Sequence, residues 1–276
     1  MLDKFFIEDH VKKALTEDIG FGDITTDYLT NEEDLMTCYL NSRVDGIFCG
    51  KNVFETVFKT LSNKIQIKFN KNDGDEIVKG DKIAELTGPA RYILMGERTA
   101  LNYIQRMSGI ATETNKYQKA IGEFKAKIVD TRKTTPLFRA FEKYAVKTGG
   151  GSLHRFNLSD CAMIKDNHIK YAGSLTNAVE KLRKNISHAH KIEVECDTIE
   201  QVKEAIACKA DIIMLDNMDI DTMKKCVELI NGRAVVEASG NVNLATVKEI
   251  ASTGVDIISS SAIVAKAPTL DLGLDS

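Results

Sequence analysis

Positively charged side chains concentrate in the middle of the chain. Residues 125–170 hold ten Lys and Arg against four acids, in a protein whose net charge is -3. Several of these cations, including Arg132, Lys133 and Lys165, stand where an apolar run ends or beside a Gly cluster. Sites in α/β proteins are built at such positions, so the expected chemistry is the binding of an anion with several charges. A solvated basic face is the alternative, but it fits poorly because Lys165 closes a run that should be a buried strand.

Single acids end two later apolar runs. Glu195 and Asp216 in these positions suit the binding of sugar hydroxyls or of a Mg2+ that bridges phosphates. Pairing of each acid with a nearby Lys is the alternative, and both can hold together. The two histidines of the cationic region, His154 and His168, have no known ligand spacing with the neighbouring thiol or carboxyl groups, so a zinc site is discounted.

Two short hydroxyl-rich segments predict a phosphate site. Each combines hydroxyls with backbone N–H groups at an expected helix N-terminus, and in barrels the loops after the last strands often bind phosphate. Ordinary helix capping is the alternative for each segment alone. The first segment is Ser239, Gly240 and Asn241, and the second is Ser259, Ser260, Ser261 and Ala262.

Strand and helix patterns alternate after residue 122. Apolar runs predict strands at 128–131, 161–165, 192–195, 212–216, 235–238 and 257–260. Amphipathic stretches predict helices at 137–147, 174–185, 198–207, 219–230 and 243–253. This alternation is typical of parallel strands with helical crossovers, whose carboxyl ends share one mouth. The charged and hydroxyl side chains that follow the runs are expected to converge there, among them Glu195, Asp216, Glu237 and Ser239. Six strands are fewer than the eight of a closed barrel, so an open or incomplete barrel is predicted.

The first part of the chain has another pattern, typical of an α+β domain. Helical spacing predicts helices at 5–15 and 51–61, and looser alternation predicts a strand at 36–48. Turn residues predict a small antiparallel sheet over 65–94, and a long helix is expected from about 94 to 121. Arg98 would then stand in the first turns of that helix, a weak indication of an anionic partner. Residues 17–29 predict a loop.

Composition limits the compartment and the partners. A net charge of -3 gives no reason to expect nucleic acid or an anionic membrane as partner, and no run approaches the ~18 apolar residues of a membrane span. The six cysteines lack a CxxC pair and predict free thiols in a reducing compartment. No signal peptide is recognised. The protein is therefore expected in the cytoplasm with a small-molecule partner.

A resemblance to a known family runs along nearly the whole chain. Its motifs are EDIGFGDITT (17–26), GERTALNYIQRMSGIAT (96–112), DTRKTTP (130–136), EKYAV (142–146), GGG (149–151), HR (154–155), KDNHI (165–169), EVE (193–195), MLDN (214–217), EASGN (237–241) and GVDIIS (254–259). With them the chain resembles the quinolinate phosphoribosyltransferase family. The resemblance implies an N-terminal α/β sandwich domain at 1–110 and an open α/β barrel domain with phosphate-binding loops at 111–276.

The resemblance also implies a reaction. A pentosyltransferase of this kind joins quinolinate to phosphoribosyl pyrophosphate and releases nicotinate mononucleotide, pyrophosphate and CO2 in NAD biosynthesis, with Mg2+ as cofactor. Lys133, Glu195 and Asp216 would be catalytic, and the two acids would be possible Mg2+ ligands beside the pyrophosphate. The active site would be shared between the two subunits of a homodimer. The resemblance does not specify whether such dimers assemble further.

The substrate-binding residues follow from the same motifs. Four side chains would grip the quinolinate carboxylates, a fifth would reach in from the other subunit, and the two hydroxyl-rich segments would take the 5′-phosphate. The four gripping residues would be Arg132, His154, Arg155 and Lys165, and the fifth would be Arg98. The whole substrate-binding set is Arg98, Thr131, Arg132, Lys133, His154, Arg155, Lys165, Glu195, Asp216, Ser239, Gly240, Asn241, Ser260, Ser261 and Ala262.

The chain departs from the family pattern at three places, and three rival functions fit part of the same residues. Leu137 and Phe138 replace the usual Gly-Leu, Phe156-Asn157 replaces a small residue after HR, and Ser260-Ser261 replaces Val-Gly. The rivals are a paralogue found in molybdenum-transport operons, a catalytically inactive sensor of a phosphorylated metabolite, and a barrel isomerase or aldolase with Lys165 as a Schiff-base lysine. The retained motifs favour the quinolinate enzyme.

Overall fold

A computed structural model describes residues 2–276. In chain order its elements are α1 (Lys4–Ile19), α2 (Thr26–Leu29), β1 (Leu35–Ser42), β2 (Gly46–Ile47), α3 (Lys51–Leu61), β3 (Gln66–Phe69), β4 (Glu76–Ile77), β5 (Lys82–Pro89), α4 (Ala90–Ile121), β6 (Lys127–Val129), α5 (Arg139–Thr148), β7 (Ala162–Ile164), α6 (Asp166–Ala172), α7 (Leu175–Asn185), β8 (Ile192–Cys196), α8 (Ile199–Ala207), β9 (Ile212–Asp216), α9 (Ile220–Ile230), β10 (Val235–Ser239), α10 (Val247–Ser252), β11 (Ile257–Ser259), α11 (Ala262–Ala265) and β12 (Leu272–Asp275). Within the described residues no helix is both long and apolar enough to cross a bilayer.

The chain forms two compact units, each built from separate segments. The first takes the chain up to Asn115 together with Pro136–Gly150 and Ala267–Ser276, and the second takes Lys116–Thr135 and Gly151–Lys266. The division at residue 110 stays a prediction about the sequence.

The first unit contains a four-stranded antiparallel sheet in the order β12-β1-β5-β3. Helix α3 carries its apolar side chains on one face, and Val53, Phe54, Val57 and Phe58 are all buried. A residue distant in sequence caps the start of this helix, because Asp73 Oδ1 accepts hydrogen bonds from the backbone N–H groups of Gly50 and Lys51 at 2.8 and 2.9 Å. The predicted helix 51–61 is confirmed.

The second unit contains six parallel strands in the order β6-β11-β10-β9-β8-β7. The first of these strands in sequence, β6, pairs with the last, β11, while the second, β7, lies at the opposite edge beside β8. Within the described chain β6 and β7 do not pair, which leaves the sheet open as predicted. The α/β fold class, a small sheet domain followed by a parallel sheet with helices, is confirmed.

Several sequence-based assignments of elements were wrong. The single strand expected at 36–48 is divided into β1 and β2 by a bend at 43–45, and residues 17–29 include the end of α1 and all of α2. Helix α5 belongs to the first unit rather than serving as a crossover in the barrel. Sequence analysis also missed α6 and β12, and β12 pairs with β1 more than two hundred residues away.

Helix α4 begins at Ala90, earlier than expected. Arg98 therefore stands in its third turn, and the helix-dipole argument for an anionic partner fails because that effect is confined to the first turn. Sequence patterns place helix ends poorly, and here the strand before α4 ends one residue before the helix starts.

Two glycines of α4 differ in what lies against them. A Cβ added to Gly109 would meet the carbonyl oxygen of Pro268 at 1.9 Å, whereas one added to Gly96 would meet only the side chains of Leu61 and Phe58, at 2.9 and 3.0 Å. Backbone atoms can move away from such a clash less easily than the end of a side chain can. Gly109 is thus required by the close approach of the segment that leads into β12.

We expect Gly109→Ala to destabilise the protein by about 3 kcal/mol, because the clash with backbone outweighs the gain in helix propensity of roughly 1 kcal/mol. Gly96→Ala is the matched control, with a smaller loss expected. The measurement is urea unfolding followed by far-UV circular dichroism, since the chain has no Trp. Equal stability of the two variants would contradict the prediction.

Candidate functional site

The candidate site is a pocket at the carboxyl ends of the parallel strands of the second unit. Its volume is about 300 Å³. Eight residues of the predicted substrate-binding set line it together with Ser259, which opens the second hydroxyl-rich segment, and with Met163 and Met214, which were not predicted. The eight are Thr131, Arg132, Lys133, His154, Arg155, Lys165, Glu195 and Ser239. The convergence expected from strand ends is thus present.

The His154-Arg155 segment is held by three buried acids. Asp130, which follows β6, accepts a hydrogen bond from the His154 backbone N–H at 2.9 Å through Oδ1. The imidazole points inward, and its Nε2 lies 3.4 Å from Glu193 Oε1 on β8 and 3.5 Å from Glu237 Oε1 on β10. All three acids are almost fully buried.

Protons in this buried cluster are shared. Burial lowers the pKa of His154, but its hydrogen bonds to Glu193 and Glu237 outweigh burial and raise that pKa to about 10. Burial also raises the pKa of Glu193, against the opposing effect of His154. Both shifts keep an additional proton in the cluster at neutral pH. Because Nδ1 accepts from the Arg155 N–H, the ring can carry only its Nε2 proton, so the additional proton lies on the glutamates and the raised pKa belongs to the group of His154, Glu193 and Glu237.

Both ring nitrogens of His154 are engaged within the protein. Nε2 faces the two glutamates, and Nδ1 accepts a hydrogen bond from the Arg155 backbone N–H at 2.7 Å. We expected His154 to bind a substrate carboxylate, but neither of its ring nitrogens is directed at the pocket to do so.

Arg155 is fixed at the edge of the sheet. One guanidinium nitrogen, Nη1, donates to the carbonyl of Cys161 at 2.9 Å, and Nη2 lies 3.4 Å from the sulfur of Met163. These contacts use two of its five N–H donors. The remaining donors are available for an anion in the pocket.

Lys165 ends β7 and points at the acid of the next strand. Its ammonium group donates to Glu195 Oε2, so the two charges pair across the pocket. The Lys165 backbone N–H donates to His168 Nδ1 at 3.0 Å, which caps α6. His168 thus has a structural role here. A Schiff-base lysine would need an apolar setting, and the carboxylate contact makes that use of Lys165 a poor fit.

The loop after β6 carries two exposed cations, Arg132 and Lys133. Thr131 Oγ1 accepts from the Lys133 backbone N–H at 3.0 Å, and Thr134 Oγ1 donates to the Arg132 carbonyl at 3.4 Å. These short-range bonds shape the turn and leave both side chains at the mouth of the pocket. Leu137, where the resembling family has Gly, adopts φ 63° in the left-handed region, at a cost of about 1–2 kcal/mol.

The turn after β10 packs closely against the turn after β9. Gly240 has φ 90°, and a Cβ there would meet Asn217 Oδ1 at 2.1 Å. Asn217 Oδ1 accepts from Asn241 Nδ2 at 3.2 Å, while Asn217 Nδ2 donates to Asp216 Oδ2 at 2.7 Å. Asp216 is thereby held beside Ser239, its partner in the sheet register.

The proposed helix N-termini of the phosphate segments were partly wrong. Helix α10 begins at Val247, so the segment ending at Asn241 is a strand-end turn and not the start of a helix. Helix α11 does begin at Ala262, but Ser260 Oγ already accepts from the Ala262 N–H at 3.2 Å. Gly240, Asn241, Ser260, Ser261 and Ala262 do not line the pocket.

Two other residues of the expected set lie outside the pocket lining. Asp216 stands beside it at the end of β9, and Arg98 is exposed on α4 in the first unit. Sequence reasoning also missed Glu193, and it expected Glu237 among the side chains at the mouth, whereas Glu237 is buried against His154. The available signal was an acid inside an otherwise apolar strand, since an ion there must find a partner.

Cation ligands are available at the pocket. Glu195 and Asp216 offer carboxylate oxygens from neighbouring strand ends, the hard donors that Mg2+ prefers when it keeps water and phosphate as its other ligands. The residues present therefore fit a Mg2+ ion that arrives with a phosphorylated ligand.

Glu195→Gln is expected to tighten the binding of an aromatic dicarboxylate such as phthalate by up to about fivefold, because Lys165 loses a competing partner worth about 0.2–1 kcal/mol. Isothermal titration calorimetry measures the affinity. Glu200→Gln, at an exposed acid on α8, is the control and should change nothing. Unchanged phthalate affinity in Glu195→Gln would show that the ion pair does not compete with ligand.

Comparison with known proteins gives a consistent result. The chain matches the family models "Quinolinate phosphoribosyl transferase, N-terminal domain" over residues 23–108 and "Quinolinate phosphoribosyl transferase, C-terminal domain" over residues 110–275. A probable nicotinate-nucleotide pyrophosphorylase [carboxylating] of Bacillus subtilis is 42% identical over 275 residues, covering 100% of this chain and 92% of that protein.

Solved structures agree. The nicotinate-nucleotide pyrophosphorylase from Francisella tularensis is 40% identical with a TM-score of 0.95, covering 100% of this chain and 97% of that one. NadC from Streptococcus pyogenes is 38% identical with a TM-score of 0.97, covering 100% and 98%.

Proposed function

Because the chain belongs to the quinolinate phosphoribosyltransferase family, we propose that its pocket joins quinolinate to phosphoribosyl pyrophosphate, giving nicotinate mononucleotide, pyrophosphate and CO2. The chain is thus a pentosyltransferase of NAD biosynthesis. The observation that carries the proposal for this pocket is the gathering of Arg132, Lys133, Arg155 and Lys165 around one cavity with Glu195. Such a cavity matches a substrate with two carboxylates and a second with phosphates.

Quinolinate binding is assigned to the cations of the pocket. Arg155 and Lys165 lie at the edge beside β7, and Arg132 stands on the facing loop, so two carboxylates on neighbouring ring atoms can each meet a cation. Arg is suited to bidentate contact with a carboxylate. When quinolinate engages Lys165, Glu195 is released from its ion pair and can accept hydrogen bonds from ribose.

Phosphoribosyl pyrophosphate is assigned to the acids and turns next to this pocket. Glu195 and Asp216 accept from the ribose hydroxyls, while Ser239, Gly240 and Asn241, with residues 260–262, receive the 5′-phosphate. The close packing of Gly240 on Asn217 supports this assignment because it fixes the turn before ligand arrives.

The chemistry needs charge placement and no covalent intermediate. As the bond from C1 of ribose to pyrophosphate breaks, Lys133 offsets charge on the leaving group, and Glu195 and Asp216 offset the cationic ribose. Bound Mg2+ would supply further charge neutralisation to the pyrophosphate. The quinolinate nitrogen attacks C1 and becomes a pyridinium. The electron pair of the C2–carboxylate bond then passes to the ring, CO2 leaves, and C2 takes a proton.

A homodimer with a shared site forms part of the proposal. Arg98 does not line the pocket of its own chain and is exposed, which is consistent with a contribution of its side chain to the active site of a second copy. Large apolar side chains of the first unit, among them Phe21, Ile24 and Tyr28, are also exposed, as expected of a surface that a second chain covers. The six free thiols support a cytoplasmic location.

The test is turnover by the purified protein of quinolinate, phosphoribosyl pyrophosphate and Mg2+, with nicotinate mononucleotide and CO2 both measured. Nicotinic acid is the control substrate and should give no product, because it lacks the second carboxylate. Chelation of Mg2+ should abolish turnover. Equal use of both acids, or no product from quinolinate, would refute the function.

Lys133→Ala is expected to lower kcat at least 100-fold with little change in quinolinate affinity, because the ammonium group acts on the leaving group. Steady-state kinetics separate the two effects. An increase confined to the quinolinate KM would assign Lys133 to quinolinate binding instead.

Arg98→Ala and Lys165→Ala should each be inactive yet regain partial activity on mixing. A hybrid dimer would contain one site with both residues intact, up to about a quarter of the sites after random exchange. Subunit exchange is verified by native mass spectrometry. No recovery after confirmed exchange would mean that Arg98 acts within its own chain.

A further inference from the structure

Two buried glutamates below the pocket have no role in the reaction as described above. Glu193 is 0% exposed and Glu237 is 3% exposed, and both belong to central strands of the parallel sheet. Apart from the His154 ring, no donor in the described part of the chain reaches Glu193 Oε1, Glu193 Oε2 or Glu237 Oε1. Burying such oxygens is costly, so a structural purpose alone would be better served by apolar side chains.

The ring of His154 shows what the glutamates accomplish. Its Nδ1 accepts from the Arg155 N–H and therefore carries no proton. The ring proton must lie on Nε2, which faces the carboxylates. An acceptor below Nε2 selects this tautomer, as a carboxylate commonly does for a histidine.

The tautomer in turn affects the backbone of Arg155. If the proton moved to Nδ1, two N–H groups would oppose each other over the 2.7 Å contact, and the segment would have to shift. Asp130 adds a second restraint through the His154 N–H. The segment that carries Arg155 is thus held from below by acids on or after three strands.

We propose that Glu193 and Glu237 are positioning residues which, through the Nε2–H tautomer of His154, hold the Arg155 backbone so that its guanidinium meets a quinolinate carboxylate. The proposal rests on the proposed function, because Arg155 matters as a ligand of quinolinate. It predicts that the acids determine quinolinate affinity without touching the substrate. Phosphoribosyl pyrophosphate, bound on the other side of the pocket, should be little affected.

The first measurement uses the wild-type protein. Long-range 1H–15N correlation spectra of its five histidines report the tautomer of each ring, and His154→Gln identifies the signal of His154. A bare Nδ1 and a protonated Nε2 are expected. A bare Nε2, or a ring with both nitrogens protonated, would overturn the proposal, as would a stoichiometric metal ion in the purified protein, which would make the three residues a metal site.

The second measurement compares variants. In Glu193→Gln/Glu237→Gln the side-chain amides can donate to Nε2, so the ring signal should move towards the Nδ1–H tautomer. Quinolinate Kd, measured by calorimetry, should rise tenfold or more, while the KM for phosphoribosyl pyrophosphate stays within about twofold. Each single variant should give a smaller effect of the same kind.

Glu204→Gln is the matched control. Glu204 is a partly buried acid of the same unit that accepts from Thr176 N and Oγ1 at 3.0 and 2.7 Å, away from the pocket. Glu204→Gln should lower Tm and leave the Kd for quinolinate and the KM for phosphoribosyl pyrophosphate unchanged. Equal weakening of both substrates in the double variant, accompanied by a loss of Tm, would reduce the glutamates to a role in stability and refute the proposal.

Failure of the proposed function would be seen separately. Wild-type protein that neither binds quinolinate nor converts it would refute the function, whereas normal wild-type turnover with an unchanged His154 ring in the double variant would refute only the positioning role.

Discussion

Three buried acids beneath a rim of cations form the arrangement on which the site depends. Asp130, Glu193 and Glu237 come from or follow three strands, and all of them converge on His154. A carboxylate deprived of water costs several kcal/mol unless charge or hydrogen bonds compensate it. Here His154 contributes to that compensation for all three acids, through its backbone N–H and its ring, and these contacts fix its position.

Cations at the rim would repel one another in an empty pocket. The structure balances them locally, by the ion pair of Lys165 with Glu195 and by the acids below His154. A dianionic substrate can replace part of this internal compensation when it binds. The same carboxylate that restrains Lys165 is then available to the ribose, so the two substrate sites are chemically linked through one ion pair.

Some motifs that identify the family serve the fold rather than the pocket. Glu142 of EKYAV is buried and accepts from Arg106 of α4 at 2.9 Å, and Tyr144 donates to Asp73 at 2.7 Å. Removing one partner of a buried pair leaves a charge without compensation, at a cost of about 3–5 kcal/mol. A substitution at such a structural residue is tolerated as poorly as one at a substrate-binding residue. A motif alone therefore does not distinguish structural residues from substrate-binding residues.

The sequence by itself determined the order of the parallel strands along the chain, the open sheet and the cationic cluster at the strand ends. These features depend on local patterns, because apolar runs and the side chains that end them are read within a few residues. Arg155, Lys165 and Glu195 can therefore be assigned to one mouth from the sequence alone. The family resemblance added the substrates.

Only the tertiary structure decided which groups meet. The inward turn of His154, its contacts with Glu193 and Glu237, and the pairing of β12 with β1 all join residues far apart in sequence. Local periodicity carries no information on such contacts, since it fixes the face of a strand but not the partner across the sheet. The helices α4 and α10 also begin at other residues than predicted, because a local pattern specifies the existence of a helix better than its ends.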